Sequence, residues 1–530
     1  MKAKTLIKDL IGNIPFTAEI DWALRHRDQK IQSRFNLTVL ETRLPEYLAQ
    51  VAPHANSDPA ARKVFFFASS HYWIVHTALC GLALRGLGYD VTLGYLPYGN
   101  YDKPINRFDL RVQELYARHV MERAHPLLKT VSFLGLKSAH EIPETLVKAV
   151  EKVTIYDTQY TRQREDVTGN EPIYHLRSRR NNEAARKAYA YLQKNRPDVV
   201  VVPNGMIQEY GAVYETARAL GITAVTYEFS ELDQHVWIDQ NRLVMFHFTD
   251  ELWAECRERV LNDAQRTWLD TFMAGRQGAE KVAQFAHLWQ RSSREGGEKI
   301  RSMLGLDQRP VVLLPTNVLG DSATLGRTIF SESMEDWIKG VLRFFANRID
   351  VQLVIRIHPA ETWTVGPSVA EIIHSVLPDL PQHFHLIGST EKINTYDLME
   401  IADLGLVYTT TAGLEMATRG IPVLVSGAAQ YRKKGFTLDA DSWEEYFDVL
   451  DRALKNSPEC RLKSEQIERA WNYAYFYFRE YPLSFPWHLE KVELDLEERP
   501  ISYVLSPDGR RKYEDTFQKL AGAPIHWESR

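Results

Sequence analysis

Short apolar runs alternate along this chain with longer stretches of helical periodicity. In "KVFFFASSHYWIVHTALCGLALRGLGYDVTLGYLPYG" the pattern predicts a buried strand at Val64–Phe67, a loop, and an apolar helix. Gly86 and Gly88 break that helix before a second strand at Asp90–Tyr95. Such a βαβ opening implies a parallel sheet. The pattern returns in "RPDVVVVPNGMIQEYGAVYETARALGITAVTYEF", where strand Val199–Val202 passes through Pro203-Asn204-Gly205 into a helix and strand Thr223–Tyr227. Four consecutive valines suit a strand covered on both faces.

A second series begins after a charged helical stretch, roughly 255–305, that suits a connector. Strands are predicted at 310–317, 351–359, 384–388, "LGLVYTT" and "PVLVSG", with helices near 333–347, 367–377, 394–402 and after Gly413. A helix at Ser442–Asn456 and aromatic-rich helices over 467–482 follow. Residues 1 to about 60 read as a polar helical lead-in, and 105–195 resists assignment. The expected fold is α/β, two Rossmann-like doubly wound domains facing across a cleft. The expected boundaries are a lead-in at 1–60, domains at 61–285 and 286–465, and helices at 466–530 that pack back toward the first domain. Ligands of such sheets bind beyond the carboxyl ends of the strands.

Composition adds mainly exclusions. The 530 residues are 44% hydrophobic and 25% charged, as in ordinary globular proteins. The net charge of −5 gives no general pull toward nucleic acid or anionic lipid, so any basic patch must be local. Three scattered cysteines form neither a disulfide framework nor a CxxC metal site. No signal peptide and no 18-residue apolar run is read, so the expectation is a cytoplasmic protein, with peripheral association at the inner face of the cell membrane left open.

Reactive side chains gather just after the predicted strands. Asn317 and Asp321 follow the first strand of the second half, Arg356 and His358 end the next, and Thr409, Thr410 and Thr411 end the fourth. A histidine before a proline can donate to a phosphate oxygen and, near neutrality, carry charge. Three hydroxyls before a helix supply further donors where its backbone N–H groups are unpaired. Gly413 would let a ligand approach the backbone, and Glu415 could accept from vicinal sugar hydroxyls. In the first half, Ser69, Ser70, His71, Asn204 and Glu228 follow strands, and His71 and Glu228 are the general-base candidates. Tyr156-Asp157, with Arg162 and Arg164, reads as a solvated face. No Walker loop, GxGxxG, HExxH or GxSxG is present, and no DxD-like pair stands in a suitable loop. A site without metal or cofactor is expected.

"IRIHP", followed some fifty residues on by "VYTTTAGLEMATRGIPVLVSGAAQYRKKGFTLDADSWEEYFDVLD", resembles the capsule polysaccharide biosynthesis proteins. These are similar to GT-B glycosyltransferases, including capsular Kdo transferases, and more distantly to polysialyl- and CDP-polyol-phosphate transferases. "LLPTNVLGDS" looks like the family's Asn-Val-x-x-Asp segment, with Gly320 where many members carry tryptophan. The resemblance covers 305–450 well, 195–230 moderately and 1–195 poorly. It implies that His358 and Thr409–Thr411 hold the donor's phosphate and that Glu415 meets the ribose. It implies a transferase that moves a sugar from a nucleotide-sugar donor to a glycan or lipid-linked acceptor, with no nucleic-acid partner and with peripheral-membrane or assembly-complex association left open. The rival readings are a non-hydrolysing nucleotide-sugar epimerase, a CDP-polyol phosphotransferase of the same fold, and a scaffold subunit that binds nucleotide without turnover.

Overall fold

Residues 2–25, 35–55, 58–278, 292–455 and 460–527 are described by a computed structural model. Part of the predicted connector, 279–291, and parts of the lead-in, 26–34 and 56–57, lie outside the described residues. The first half contributes strands β1 (Lys63–Ser69), β2 (Asp90–Leu96), β3 (Lys129–Ser132), β4 (Val199–Pro203), β5 (Thr223–Phe229) and β6 (His235–Gln240). The second contributes β7 (Val311–Pro315), β8 (Gln352–Arg356), β9 (Phe384–Ile387), β10 (Leu404–Val407), β11 (Val423–Val425) and β12 (Leu438–Asp439). A last short strand, β13, is Leu483–Ser484.

The strands form two sheets, ordered β13-β6-β5-β4-β1-β2-β3 and β12-β11-β10-β7-β8-β9. Leaving out β13, both run in the doubly wound order 3-2-1-4-5-6, which reverses beside the first strand of each half. The second sheet is parallel throughout. The first is parallel except where β6 pairs antiparallel with β5 and β13. Period-two alternation explains why the apolar runs are continuous. Val311 and Leu313 enter one core, and Val312 and Leu314 the core on the opposite face. After the second sheet the chain returns to the first, where Phe485, Trp487 and Phe517 join its core.

The predicted strands fall inside or beside the observed ones. The strands β3, β6, β12 and β13 were not legible: β3 and β12 are short and only partly buried, and the two-residue β13 is a strand only because it pairs with β6 some 250 residues away. The unassigned stretch 105–195 forms β3 and the helices Arg107–Glu122, Glu144–Arg162 and Pro172–Asn195. Its predicted solvated face is overturned at Asp157, which is fully buried and accepts from Arg177 Nε at 2.5 Å.

The halves touch where the helix Glu144–Arg162 ends. The Glu165 carboxylate accepts from the backbone N–H groups of Met334 and Glu335 at 3.0 and 2.6 Å, capping the start of the helix Met334–Phe345. Gln163 Oε1 accepts from Val365 N at 2.6 Å. Gly320 has φ +67°, and a Cβ there would lie 2.5 Å from the Gln159 carbonyl. Both facts explain glycine at this position and leave no room for tryptophan.

Candidate active site

The reversal of strand order beside β7 opens a crevice at the carboxyl ends of β7, β8 and β10. The loops there are stitched together. Thr316 Oγ1 accepts from His358 N at 3.1 Å, Asn317 Oδ1 from Thr409 N at 3.3 Å, and Thr409 Oγ1 donates to the Ala323 carbonyl at 3.3 Å. Asn317, Asp321, Arg356, His358, Thr409, Thr410, Thr411 and Glu415 all line one cleft of about 360 Å³. Its other wall includes Phe229–Glu231, Trp237, Met245 and His247 of the first half. The threonine, histidine and arginine positions predicted from dispersed loops are therefore brought to one place.

Two buried arginines bring positive charge to the cleft, which the threonine pattern did not suggest. Arg356 is 3% exposed; Nη1 donates to the Gly388 carbonyl at 2.5 Å, and Nε has no partner. Arg327 is equally buried; it donates to the carbonyls of Ala428 and Met245, and its Nε is also unpartnered. Burial pushes both guanidinium groups down to about 10, so both remain charged at neutral pH. Neither makes an ion pair among the described residues, and each therefore offers net charge to an anion. His358 differs from expectation. Burial, and then the charge of Arg356, depress it to about 4, so it is a neutral donor rather than a cation. Its Nδ1 accepts from Ala360 N at 3.1 Å, which assigns the ring proton to Nε2.

A third arginine comes from the helix Asp263–Gln277. Arg276 Nε donates to Glu415 Oε1 at 2.9 Å, Nη2 to Thr411 Oγ1 at 3.3 Å, and Nη1 pairs with Glu231 of the first half. Against the cost of burial, the charge of Glu415 holds Arg276 above its ordinary value. Glu415, 2% exposed, is thus engaged by a cation through Oε1.

Two further expectations change. The helix after the threonines, Ala412–Ala417, has only six residues, and Thr411 at its start makes no side-chain cap. Its dipole is correspondingly small, and the arginines supply the field instead. Gly413 is buried and does not line the cleft; the space a Cβ would take is filled by the Tyr431 hydroxyl, which donates to the Thr410 carbonyl at 2.6 Å. Glycine is needed there for packing.

On the first sheet, Glu228 is the penultimate residue of β5 and half-buried. Its Oε1 accepts from Phe229 N at 3.0 Å and its Oε2 from Asn204 Nδ2 at 3.3 Å. Burial raises it to about 6, and the charge of Asp321 across the gap raises it further than its hydrogen bonds would leave it. Asp321 is itself raised by burial. Ser70, Asn204 and Gln208, all at the carboxyl edge of this sheet, have φ between 53 and 69°, a strained setting concentrated at functional edges. His71 is not brought to this place. It lines a separate recess with Asn36, Thr38 and the segment Leu489–Leu494, and its buried Nδ1 has no partner. Beneath the edge lies a buried network in which Arg177 Nη2 donates to Glu209 Oε1 at 3.0 Å and Ser69 Oγ to Glu209 Oε2 at 2.9 Å.

Arg276, Arg327, Glu231 and Trp237 were missed from the sequence. Arg276 sits in a charged connector among many similar residues, and Arg327 in a loop whose polar residues had been weighed only at Asp321. No local pattern distinguishes them. Among the described residues, no group of three or more His, Cys, Asp or Glu side chains is placed to hold a metal ion, and no helix is long and apolar enough to cross a membrane.

Two facing Rossmann-like sheets with a cleft between them define a GT-B-type architecture. Residues 277–477 match the family model described as capsule polysaccharide biosynthesis protein, the family that the motifs of this span resemble. No curated protein matches the chain. Among solved structures, the chain is similar to the beta Kdo 2,4 transferase of Thermosulfurimonas dismutans KpsC, at 14% identity over 62% of this chain and 88% of that one, TM-score 0.37. The beta Kdo 2,7 transferase of the same KpsC gives 14% identity, 59% and 88% coverage, and 0.34. UDP-GlcNAc 2-epimerase from Neisseria meningitidis, bound to UDP-GlcNAc, gives 12% identity, 79% and 99%, and 0.27.

Proposed function

We propose that the protein is a metal-independent glycosyltransferase that moves a sugar from a nucleotide-sugar donor to a capsular or surface polysaccharide or a glycolipid acceptor. The observation that carries this reading is the presence in one cleft of two buried arginines that make no ion pair among the described residues, with Glu228, a carboxylate of raised pKa at the edge of the first sheet, close enough to feel the charge of the cleft's Asp321. Arg356 and Arg327, with the His358 Nε2 proton and the hydroxyls of Thr410 and Thr411, suit the phosphate of the donor. Asn317 holds the threonine loop in register with β7.

In the transfer step, the acceptor hydroxyl attacks the anomeric carbon and its proton passes to the Glu228 carboxylate. The bond from the anomeric carbon to the phosphate oxygen breaks, and its electron pair leaves with the nucleotide. The arginines and the N–H and O–H donors stabilise the charge that grows on that oxygen, in the cleft between the two halves. Asp321 faces Glu228 from the donor side and helps keep its pKa near the working range. Positive charge for the leaving group comes from guanidinium groups, so a divalent cation is not required by this scheme.

The test is incubation of the full chain with a panel of CMP-, CDP-, UDP-, GDP- and dTDP-linked sugars, with and without an acceptor glycan. Transfer that requires acceptor supports the reading. Isomerisation of a donor in the absence of acceptor would replace it with the epimerase reading. Nucleotide at about 100 times its dissociation constant should also stabilise the fold by about 2.7 kcal/mol, which identifies the base.

A further inference from the structure

Leu325 belongs to the second half but is buried in the first. It is 3% exposed and packs with Met206 and Ile207, against which Tyr156, Tyr160, Leu243 and Phe246 also lie. Every other member of this small core comes from the first half. The loop that carries Leu325 is pressed against that half along its length. At Gly320 and Gly326, with φ of +67° and +69°, a Cβ would come within 2.5 Å of the Gln159 carbonyl and 2.7 Å of the Tyr156 hydroxyl. Arg327 donates to the Met245 carbonyl, and its guanidinium carbon lies 5.0 Å from the centre of the Phe246 ring. Its Nη1 donates to the Ala428 carbonyl of its own half at 2.6 Å.

Hydrogen bonds connect this plug to the groups that face each other across the gap. On its own side, the Asp321 carbonyl accepts from Thr324 N at 2.8 Å and Leu325 N at 3.2 Å, and the Asp321 carboxylate accepts from Ala323 N at 2.8 Å. Asp321 and Leu325 therefore share one turn. On the other side, Met206 N donates to Asn204 Oδ1 at 3.2 Å, and Asn204 Nδ2 donates to Glu228 Oε2 at 3.3 Å. We propose that Leu325 is a positioning residue for the transfer: seated against Met206, it sets Asp321 and Arg327 of the second half opposite Glu228 of the first. Leu325 itself does not line the cleft, so it acts through these neighbours. Close packing makes such a contact stiff, and a misplacement of about 1 Å at reacting groups can cost about a hundredfold in rate. Its effect on rate rests on the transferase reading, whereas the placement of Asp321 rests on these contacts alone.

Leu325→Ala in the full chain should lower kcat for transfer by about a hundredfold. The acid limb of its pH–rate profile should also move to lower pH, because burial and then the charge of Asp321 raise Glu228, and both weaken when the loop shifts. Leu325→Met, which keeps the volume, should restore rate and profile. Leu325→Val, a smaller truncation, serves if the alanine variant does not fold. A second measurement needs no substrate. The stability gained by Glu228→Gln at pH 7, read by chemical denaturation, should be smaller in the Leu325→Ala background than in the unmodified chain. An equal gain in both backgrounds, or an acid limb that the truncations leave in place, overturns the proposal. No transfer by the unmodified chain, with the gain still smaller in the Leu325→Ala background, overturns the transferase reading and upholds the placement of Asp321.

Discussion

Arg276 Nε donates to Glu415 Oε1 at 2.9 Å while the far side of the same guanidinium pairs with Glu231, so one residue of the connector joins the two halves across the cleft. The consequence is a shift of role. Glu415 orients a cation beside Thr411, and both side chains line the cleft. Replacing Arg276 by alanine leaves two carboxylates without their counter-ion, and breaking such a buried pair costs about 3–5 kcal/mol. Chemical denaturation should show that loss, and nucleotide affinity should fall with it. Unchanged values of both would dismiss the clasp.

Glu228 predicts the pH profile. With its pKa raised to about 6, transfer should slow as pH falls below 6, by about tenfold per unit, and Glu228→Gln should remove activity. Stability runs the other way. The folded value lies above the ordinary carboxylate value, so the proton-bound form is favoured by folding. Its contribution is complete below about 4.5 and is lost as pH rises through about 6. Glu228→Gln should therefore raise stability at pH 7 by on the order of 1 kcal/mol, measurable as a higher denaturation midpoint. A variant both inactive and less stable at pH 7 would contradict the assignment.

His358→Ala should lower the transfer rate by about a hundredfold or more with stability changed by less than about 1–2 kcal/mol. In the unmodified chain His358 is held near 4 by burial and by Arg356, below its ordinary 6.5. The neutral form is thus favoured by folding, and stability declines as pH drops from about 6.5 toward 4. Thermal midpoints at pH 7 and pH 5, compared between the chain and His358→Ala, should show a smaller acid loss in the variant.

Gly413→Ala forces a methyl group onto the Tyr431 hydroxyl, which anchors the Thr410 carbonyl. Overpacking of this kind costs about 1–3 kcal/mol. If Gly413 instead marked a ligand's approach, stability would be kept and nucleotide binding alone would suffer; a denaturation curve beside a nucleotide titration separates the two.

The periodicity of the apolar runs determined the class of fold by itself. Val199–Val202 and Val311–Leu314 place every residue in a core because parallel strands are covered on both faces, and no distant partner is needed to see it. That His358 and Thr409–Thr411 would come together was legible in the same way, since each follows a strand of one parallel sheet and the carboxyl ends of such strands share an edge. Only the tertiary structure decided the electrostatics. Arg276, Arg327 and Asp157 are ordinary charged residues in sequence, and their roles come from partners 139, 101 and 20 residues away. His71 follows a strand as Glu228 does, yet the turn of the chain carries it to another recess. A local pattern records which face of an element is apolar, whereas a pKa or an ion pair is set by what the fold brings against it, and that depends on contacts far apart along the chain.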